Sequence, residues 1–473
     1  MEIIHVSAEC YPMAKVGGLA DVVGALPRYQ YLAGHVAKVV MPMHRTAFLF
    51  NNEWEVVHKS SFSMGNSKYD YTIIKEKFNK LGFDLYCVDI FGLLDREQVY
   101  GYNDDTERFI AFQIAVTDWM SKWEQQPDIV HVHDHHAALI PFMMKNCFAY
   151  ESLKSIPTIL TIHNAQYQGW MGWEKAVNIP LWDSWQWGLL DWNNMVNPLA
   201  CGIKCASRVT TVSEGYFREL IYKANGLESL IVTEQSKCTG LLNGIDAEVW
   251  NTETDKYIVN NFDDLSVEEG KELNKIKLCV DFGFDVALPL IIFIGRLVLD
   301  KGADLLPSLI FTSIEKLGKK MNFLVLGSGD LEISDMLHQL SIPENFKLAI
   351  GYDEKLSHQM YAGADFLLMP SRVEPCGLNQ MYAMRYGTIP MTRNTGGLRD
   401  TVIDFEDEGG YGITFNEANT ADIFQAIERA VGLFEKKEQL KNIRKRMMKI
   451  DNSWEKRADN YTSLYKSVQA QKV

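Results

Sequence analysis

One short pattern occurs near each end of the chain: Gly17-Gly18-Leu19-Ala20-Asp21-Val22-Val23 and Gly396-Gly397-Leu398-Arg399-Asp400-Thr401-Val402. Each reads as a loop that opens a helix. Paired glycines permit positive φ and close backbone approach, and the unpaired N–H groups of a helix start point at one place, which suits a phosphate. A Gly-Gly pair is also an ordinary turn, so the flanking residues decide. Lys15 stands just before the first loop, a cation suited to a diphosphate or a sugar. In the second half, Arg296 follows the apolar run 291–294 and Lys301-Gly302 opens the next helical segment. A guanidinium and an ammonium at one strand end can neutralise a departing diphosphate as its charge develops. In isolation the same two residues would be solvated surface cations.

Two further groups follow buried strands. In Pro370-Ser371-Arg372-Val373-Glu374-Pro375-Cys376-Gly377-Leu378, the proline after Glu374 is expected to start a helix, which places the Glu374 carboxylate near a helix N-terminus. There it would hold sugar hydroxyls, support a cationic centre or cap the helix. Cys376 has no base nearby in sequence and reads as lining rather than as a nucleophile. The run His131-Val132-His133-Asp134-His135-His136 straddles a strand end and a helix start. Asp134 is expected to cap that helix, and His131 and His133 share one strand face. With no second cluster to complete a ligand set, the run is read as no metal site. His163 ends the strand from Thr158 and is followed by Asn164; it is either a satisfied buried histidine or a site residue.

These residues need rigid elements behind them. Continuous apolar runs at Ile3–Ser7, Val36–Met41, Ile129–His133, Thr158–His163 and Val209–Val212 read as strands of a parallel sheet. So do Leu290–Ile294, Phe323–Leu326, Phe346–Ile350, Phe366–Met369, Ile389–Thr392 and Tyr411–Phe415 in the second half. The expected class is α/β, with two Rossmann-like, doubly wound domains facing a deep cleft and ligands at the carboxyl ends of the strands. The boundaries expected are 1–243, 244–453 and a tail, 454–473. Trp454, Ala458, Tyr461, Leu464 and Tyr465 give the tail the spacing of an amphipathic helix that docks on a domain. The stretch 169–192 holds Trp170, Trp173, Trp182, Trp185 and Trp187, with Trp192 as a sixth, out of eleven tryptophans in the chain; it is a sugar-stacking surface or a loop-borne core.

A length of 473 residues supports two domains, and a net charge of −14 argues against nucleic acid or an anionic membrane as partner. Any phosphate must then be held by local cations. No apolar run reaches membrane-spanning length, and the eight cysteines form no CxxC pair, so the expected location is a reducing cytoplasm.

Taken in order, 15–27 (KVGGLADVVGALP), 131–139 (HVHDHHAAL), 161–169 (TIHNAQYQG), 241–250 (LLNGIDAEVW), 295–302 (GRLVLDKG), 370–390 and 394–402 (NTGGLRDTV) resemble bacterial glycogen synthases and starch synthases, glycosyltransferase family 5. The resemblance covers nearly the whole chain and implies the GT-B architecture, with the tail as a helix crossing back to the first domain. It further implies transfer of glucose from ADP-glucose, or UDP-glucose, to the non-reducing end of an α-1,4-glucan with retention, without a cofactor. On that resemblance Lys15, Gly17, Gly18 and Asp21 bind the donor, Arg296 and Lys301 hold the diphosphate, Glu374 and His163 act at the sugar, Cys376, Gly377 and Leu378 bind substrate beside Glu374, and Thr395, Gly396 and Gly397 do so from the second loop. Asp134 and Asn243 are further contacts. His135, where the family has tryptophan, and Leu199-Ala200, where it has leucine-lysine, are departures that bear on acceptor handling. The alternatives are a GT-B transferase with a small acceptor, and a silent glucan-binding protein.

Overall fold

The computed structural model describes residues 1–340 and 344–470. The chain divides into two units: Met1–Val212 with Phe217–Leu242 and Trp454–Val473, and Asn243–Ser453 with Ser213–Tyr216.

The first unit is built on a nine-stranded sheet. Its spatial order is Cys238–Gly240, Arg208–Thr211, Thr158–Ile162, Ile129–His133, Glu2–Val6, Val36–Pro42, Asp84–Asp89, Ser67–Glu76 and Trp54–Met64. The first seven run parallel. The last two continue antiparallel as a hairpin extension. Glu2–Val6 and Ile129–His133 are buried almost throughout, as expected of parallel strands covered by helices on both faces. The hairpin strand Trp54–Met64 is largely half-buried or exposed, which is why no continuous apolar run marks it. The tail forms the helix Trp454–Ala470, whose Trp454, Ala458, Tyr461, Tyr465 and Val468 are buried with Ile3, Val22, Leu26, Ile129 and Ile159. The tail thus packs on the first unit, a docking helix as its spacing predicts and on the domain that the resemblance implies.

The second unit carries a six-stranded, fully parallel sheet in the order Phe346–Ile350, Asn322–Gly329, Leu290–Leu297, Phe366–Met369, Ile389–Arg393 and Ile413–Phe415. Buried residues from its strands and helices form apolar clusters about Ile291, Phe323, Phe366 and Ile427, and about Ile292, Leu324, Leu367 and Tyr361. In both sheets strand order reverses once next to the strand that starts the fold: between Glu2–Val6 and Ile129–His133, and between Leu290–Leu297 and Phe366–Met369. At such a reversal the connections leave in opposite directions and open a crevice at the carboxyl ends, where ligands of doubly wound folds bind. No helix among the described residues is long and apolar enough to cross a membrane.

Candidate functional site

In the first unit, the loop after Glu2–Val6 is held by a residue that sequence reasoning did not single out. Glu9 Oε2 accepts the backbone N–H groups of Val16 at 2.6 Å and Gly17 at 3.0 Å, and its Oε1 accepts the Tyr100 hydroxyl at 2.7 Å. Burial pushes the Glu9 carboxyl above its usual range, against the pull of these donors. Two of the amides near the expected anion site are therefore taken by the protein itself. The helix does begin in the glycine pair, spanning Gly18–Leu32, but Gly17 is extended at φ −143° and a Cβ at Gly17 or Gly18 would meet nothing within 4 Å. No described residue requires glycine there; the pair leaves open space. Lys15 Nζ lies 2.7 Å from Asp21 Oδ1, and burial raises the Asp21 carboxyl while that ammonium opposes the rise.

Asp134 does not cap a helix, since the next helix is Ile140–Asn146. It sits in the left-handed region at φ 53°, buried, and Oδ1 accepts the backbone N–H of His163 at 2.7 Å and of Asn164 at 3.5 Å. Its carboxyl therefore ties the end of one strand to the end of its neighbour, and burial raises its pKa to about 7. His163 is also buried, its imidazole held down to about 3 by desolvation and therefore neutral. His131 and His133 are joined by His5 from the adjacent strand, with nitrogens of the three rings within 4.8 Å of one another. Hydrogen bonds from within the protein occupy all six of those nitrogens, so the chemistry of the donor set is that of a satisfied polar network.

In the second unit, Arg296 is an exposed residue of the strand Leu290–Leu297 whose side chain makes no hydrogen bond to a described residue, whereas Lys301 is paired: its Nζ lies 2.7 and 2.6 Å from the two oxygens of buried Glu374. Ser371 Oγ adds a hydrogen bond to Glu374 at 2.9 Å. The Lys301 turn is pinned to this segment by several independent contacts. Gly302 has φ +67°, and a Cβ there would come within 2.3 Å of the Pro370 carbonyl. The N–H groups of Arg372 and Val373 bond the Asp300 carbonyl, and Arg372 grips Asp304 with both terminal nitrogens. Glu374 is not at a helix N-terminus, because the helix after it begins only at Asn379; Pro375 sits in an irregular loop, and the carboxylate is stabilised by Lys301 instead.

The second glycine loop backs that loop directly. The Gly397 N–H donates to the Glu374 carbonyl at 3.1 Å. A Cβ at Gly396, which has φ +45°, would lie 2.0 Å from that same carbonyl, and one at Gly397 would lie 2.2 Å from the Cys376 carbonyl. Glycine is demanded here by the fold. Thr395, buried, precedes the helix Gly396–Thr401. Cys376 is buried, Gly377 has φ +74°, and Leu378 precedes the helix Asn379–Arg385. Ser213 and Gly215 reinforce the loop, with Ser213 Oγ donating to the Pro375 carbonyl at 2.5 Å and the Gly215 N–H to Asp400 Oδ2 at 2.6 Å. Asn243 is buried, and its Oδ1 has no hydrogen-bond partner among the described residues.

Several of the Trp-rich residues are anchors. Trp173 donates to Asp191, Trp192 to the Gly226 carbonyl, and Lys204 bonds the carbonyls of Gly188 and Asp191. Trp185, by contrast, is 87% exposed. His135 lies under Gly169, where a Cβ would come within 2.7 Å of its ring, and Ala200 is buried, its N–H capped by Asn197.

Residues 2–233 match the starch synthase catalytic domain family, and residues 279–447 match glycosyl transferases group 1. The chain is 50% identical over 474 residues to a glycogen synthase of Flavobacterium johnsoniae, with 100% of both chains covered. It is 35% identical over 492 residues to a glycogen synthase of Streptococcus pneumoniae serotype 4, covering 99% of this chain and 100% of the relative. Among solved structures it is similar to the catalytic domain of starch synthase IV from Arabidopsis thaliana bound to ADP and acarbose, at a TM-score of 0.88 and 31% identity, with 99% of each chain covered.

Proposed function

The chain belongs to the glycogen and starch synthase family of glycosyltransferases, with the two Rossmann-like units of the GT-B architecture, and on that premise we propose that it moves glucose from ADP-glucose to the non-reducing end of an α-1,4-glucan with retention of configuration. The observation that carries the reading is the pair of cations at the carboxyl end of the strand Leu290–Leu297: Arg296, its side chain exposed and unengaged by described residues, and Lys301, locked to Glu374 at the strand-order reversal of the second sheet. An ADP leaving group gains negative charge as the glycosidic bond breaks, and preformed cations stabilise that charge without reorganisation. The related starch synthase was solved with ADP, which supports an adenine donor over UDP-glucose. The second unit takes the nucleotide sugar in this reading and the first unit the acceptor, with Lys15, Gly17, Gly18 and Asp21 on the donor's sugar side, and Asp134, Asn243 and the segments Cys376–Leu378 and Thr395–Gly397 as further contacts.

Retention requires a carboxylate nucleophile or attack on the face the leaving group vacates. The carboxylates of these segments are engaged: Glu9 by two amides and a tyrosine, Asp21 by Lys15, Asp134 by two amides, and Glu374 by Lys301 and Ser371. This favours same-face attack through an ion-pair-like state: the bond from the sugar to the diphosphate breaks, the acceptor oxygen bonds the sugar on the same face, and the departing diphosphate accepts the proton of the acceptor hydroxyl. Glu374 then holds Lys301 in place and lends negative charge near the cationic sugar, and His163 lies at the sugar. The same reading places the protein in the cytoplasm, where its eight free cysteines would stay reduced. The test is nucleoside diphosphate release from ADP-glucose and UDP-glucose, each with and without glycogen. Release that needs glycogen and favours ADP-glucose supports the proposal; equal release without glycogen, or preference for UDP-glucose, contradicts it.

A further inference from the structure

Four histidines of the first unit form one hydrogen-bonded run. Parallel pairing sets His5 opposite His131 and His133 opposite Thr161, so their side chains rise on one face of the sheet, and His163 follows two residues after Thr161. His163 Nε2 lies 3.0 Å from His133 Nδ1, His133 Nε2 lies 3.1 Å from His5 Nδ1, and His5 Nε2 lies 2.8 Å from Gln30 Oε1. The other arm of the same amide, Gln30 Nε2, donates to the Tyr465 hydroxyl at 3.1 Å. Tyr465, on the tail helix, lies 2.8 Å from His131 Nδ1, and His131 Nε2 is 2.6 Å from Thr161 Oγ1, which meets Thr210 Oγ1 at 2.6 Å.

A neutral imidazole has one N–H and one lone pair, an amide oxygen only accepts, and an amide nitrogen only donates. With the Gln30 oxygen toward His5 and its nitrogen toward Tyr465, those rules fix the proton on each of the four rings. Gln30 Oε1 requires an N–H on His5 Nε2, which leaves His5 Nδ1 a lone pair; His133 must then donate from Nε2, and His163 from Nε2 as well. On the other side the Tyr465 hydroxyl accepts from Gln30 and donates to His131 Nδ1, so His131 donates from Nε2 to Thr161. Turning the Gln30 amide over would reverse every bond, so that one amide sets the polarity of the run. Burial keeps the rings neutral, holding His5 down to about 4, His163 to about 3, and His131 and His133 well below the usual range.

We infer that Gln30 and Tyr465 are positioning residues that, through His5 and His133, hold His163 as its Nε2–H tautomer and so present the Nδ1 lone pair as a hydrogen-bond acceptor for a sugar hydroxyl. The sugar as ligand rests on the proposed function above; the tautomer does not. His163 Nδ1 has no partner among the described residues. The tail helix therefore acts on His163 without touching it.

The experiment is a two-bond proton–nitrogen correlation spectrum of the full chain labelled with ¹⁵N-histidine, at neutral pH and without substrate. The His163 signals are identified by their loss in His163→Gln. The expected pattern is Nε2–H for His5, His131, His133 and His163; Nδ1–H at His163, or a protonated ring, overturns the inference. In Gln30→Met the donor–acceptor asymmetry is gone, so a second, Nδ1–H set of His163 signals is expected, and an unchanged His163 pattern overturns the role of Gln30. Because no turnover is read, failure of the proposed reaction leaves this result standing, and failure of the tautomer leaves the reaction standing.

Discussion

Lys301 and Arg296 carry the same charge after the same strand, yet their surroundings differ. Lys301 is bonded to both oxygens of Glu374, whose side chain is 8% exposed. Lys301→Ala would leave that carboxylate buried without its ammonium, at a cost of about 2–3 kcal/mol, toward the low end for a broken buried pair because Lys301 is itself partly exposed. Thermal unfolding of this variant is expected to shift clearly downward, together with a loss of turnover. The Arg296 side chain makes no bond to a described residue and is exposed. Arg296→Ala should therefore leave stability within about 0.5 kcal/mol of the parent chain, while glycogen-dependent nucleotide release falls by about 10²-fold or more. A variant that unfolds more readily but turns over normally would assign Arg296 to the scaffold instead.

At the scale of elements, the two glycine loops look alike in sequence and differ in what they demand. Gly397→Ala would drive a methyl group within 2.2 Å of the Cys376 carbonyl, and with backbone on both sides little can give way. This variant is expected to be destabilised by several kcal/mol (about 3 or more) in denaturant unfolding. Gly17→Ala meets no protein atom and is expected to keep its unfolding midpoint while weakening the donor's apparent affinity, which steady-state kinetics would read as a raised KM. The difference was not legible in the sequence because it depends on Cys376, which the chain brings to Gly397 only through the sheet. Buried parallel strands were legible, since burial on both faces writes continuous apolar runs; the hairpin strands Trp54–Met64 and Ser67–Glu76 were not, because their half-exposed faces break those runs. Glu374 and Lys301 could each be picked out after a strand, but their pairing could not. Nor could Glu9 as the anchor of the first loop, or His5, Gln30 and Tyr465 as one network, since each bond joins residues distant in sequence.

For the whole molecule, pH dependence follows from groups that burial shifts. His5, His44, His135 and His163 have folded pKa values lowered from 6.5 to about 4, 4, 4 and 3. Below pH 6.5 the unfolded chain binds more protons at these residues, so their contribution is fully present above that pH and is lost as pH falls toward 4. Asp134 runs the other way: its folded pKa is raised from 3.8 to about 7, so its burial costs most above pH 7 and that cost is relieved on acidification. Burial also raises the carboxyls of Glu9, Asp21 and Asp89, which act with Asp134, and holds His131, His133 and His136 well below 6.5, which act with the four histidines. The histidines outnumber the raised carboxyls, and the melting temperature is expected to be lower at pH 5 than at pH 7.5; a rise would mean that the histidines are not buried in neutral form. The central claim, transfer from ADP-glucose to a glucan driven by cations of the second unit, concerns the chain as a whole. The measurement that reaches it most directly is ADP release from ADP-glucose by the parent chain and by Arg296→Ala, each with and without glycogen. Release by the parent that requires glycogen, and its near-complete loss in a variant that unfolds at the parent's temperature, is the predicted result. Glycogen-independent release, or an unimpaired variant, would contradict it.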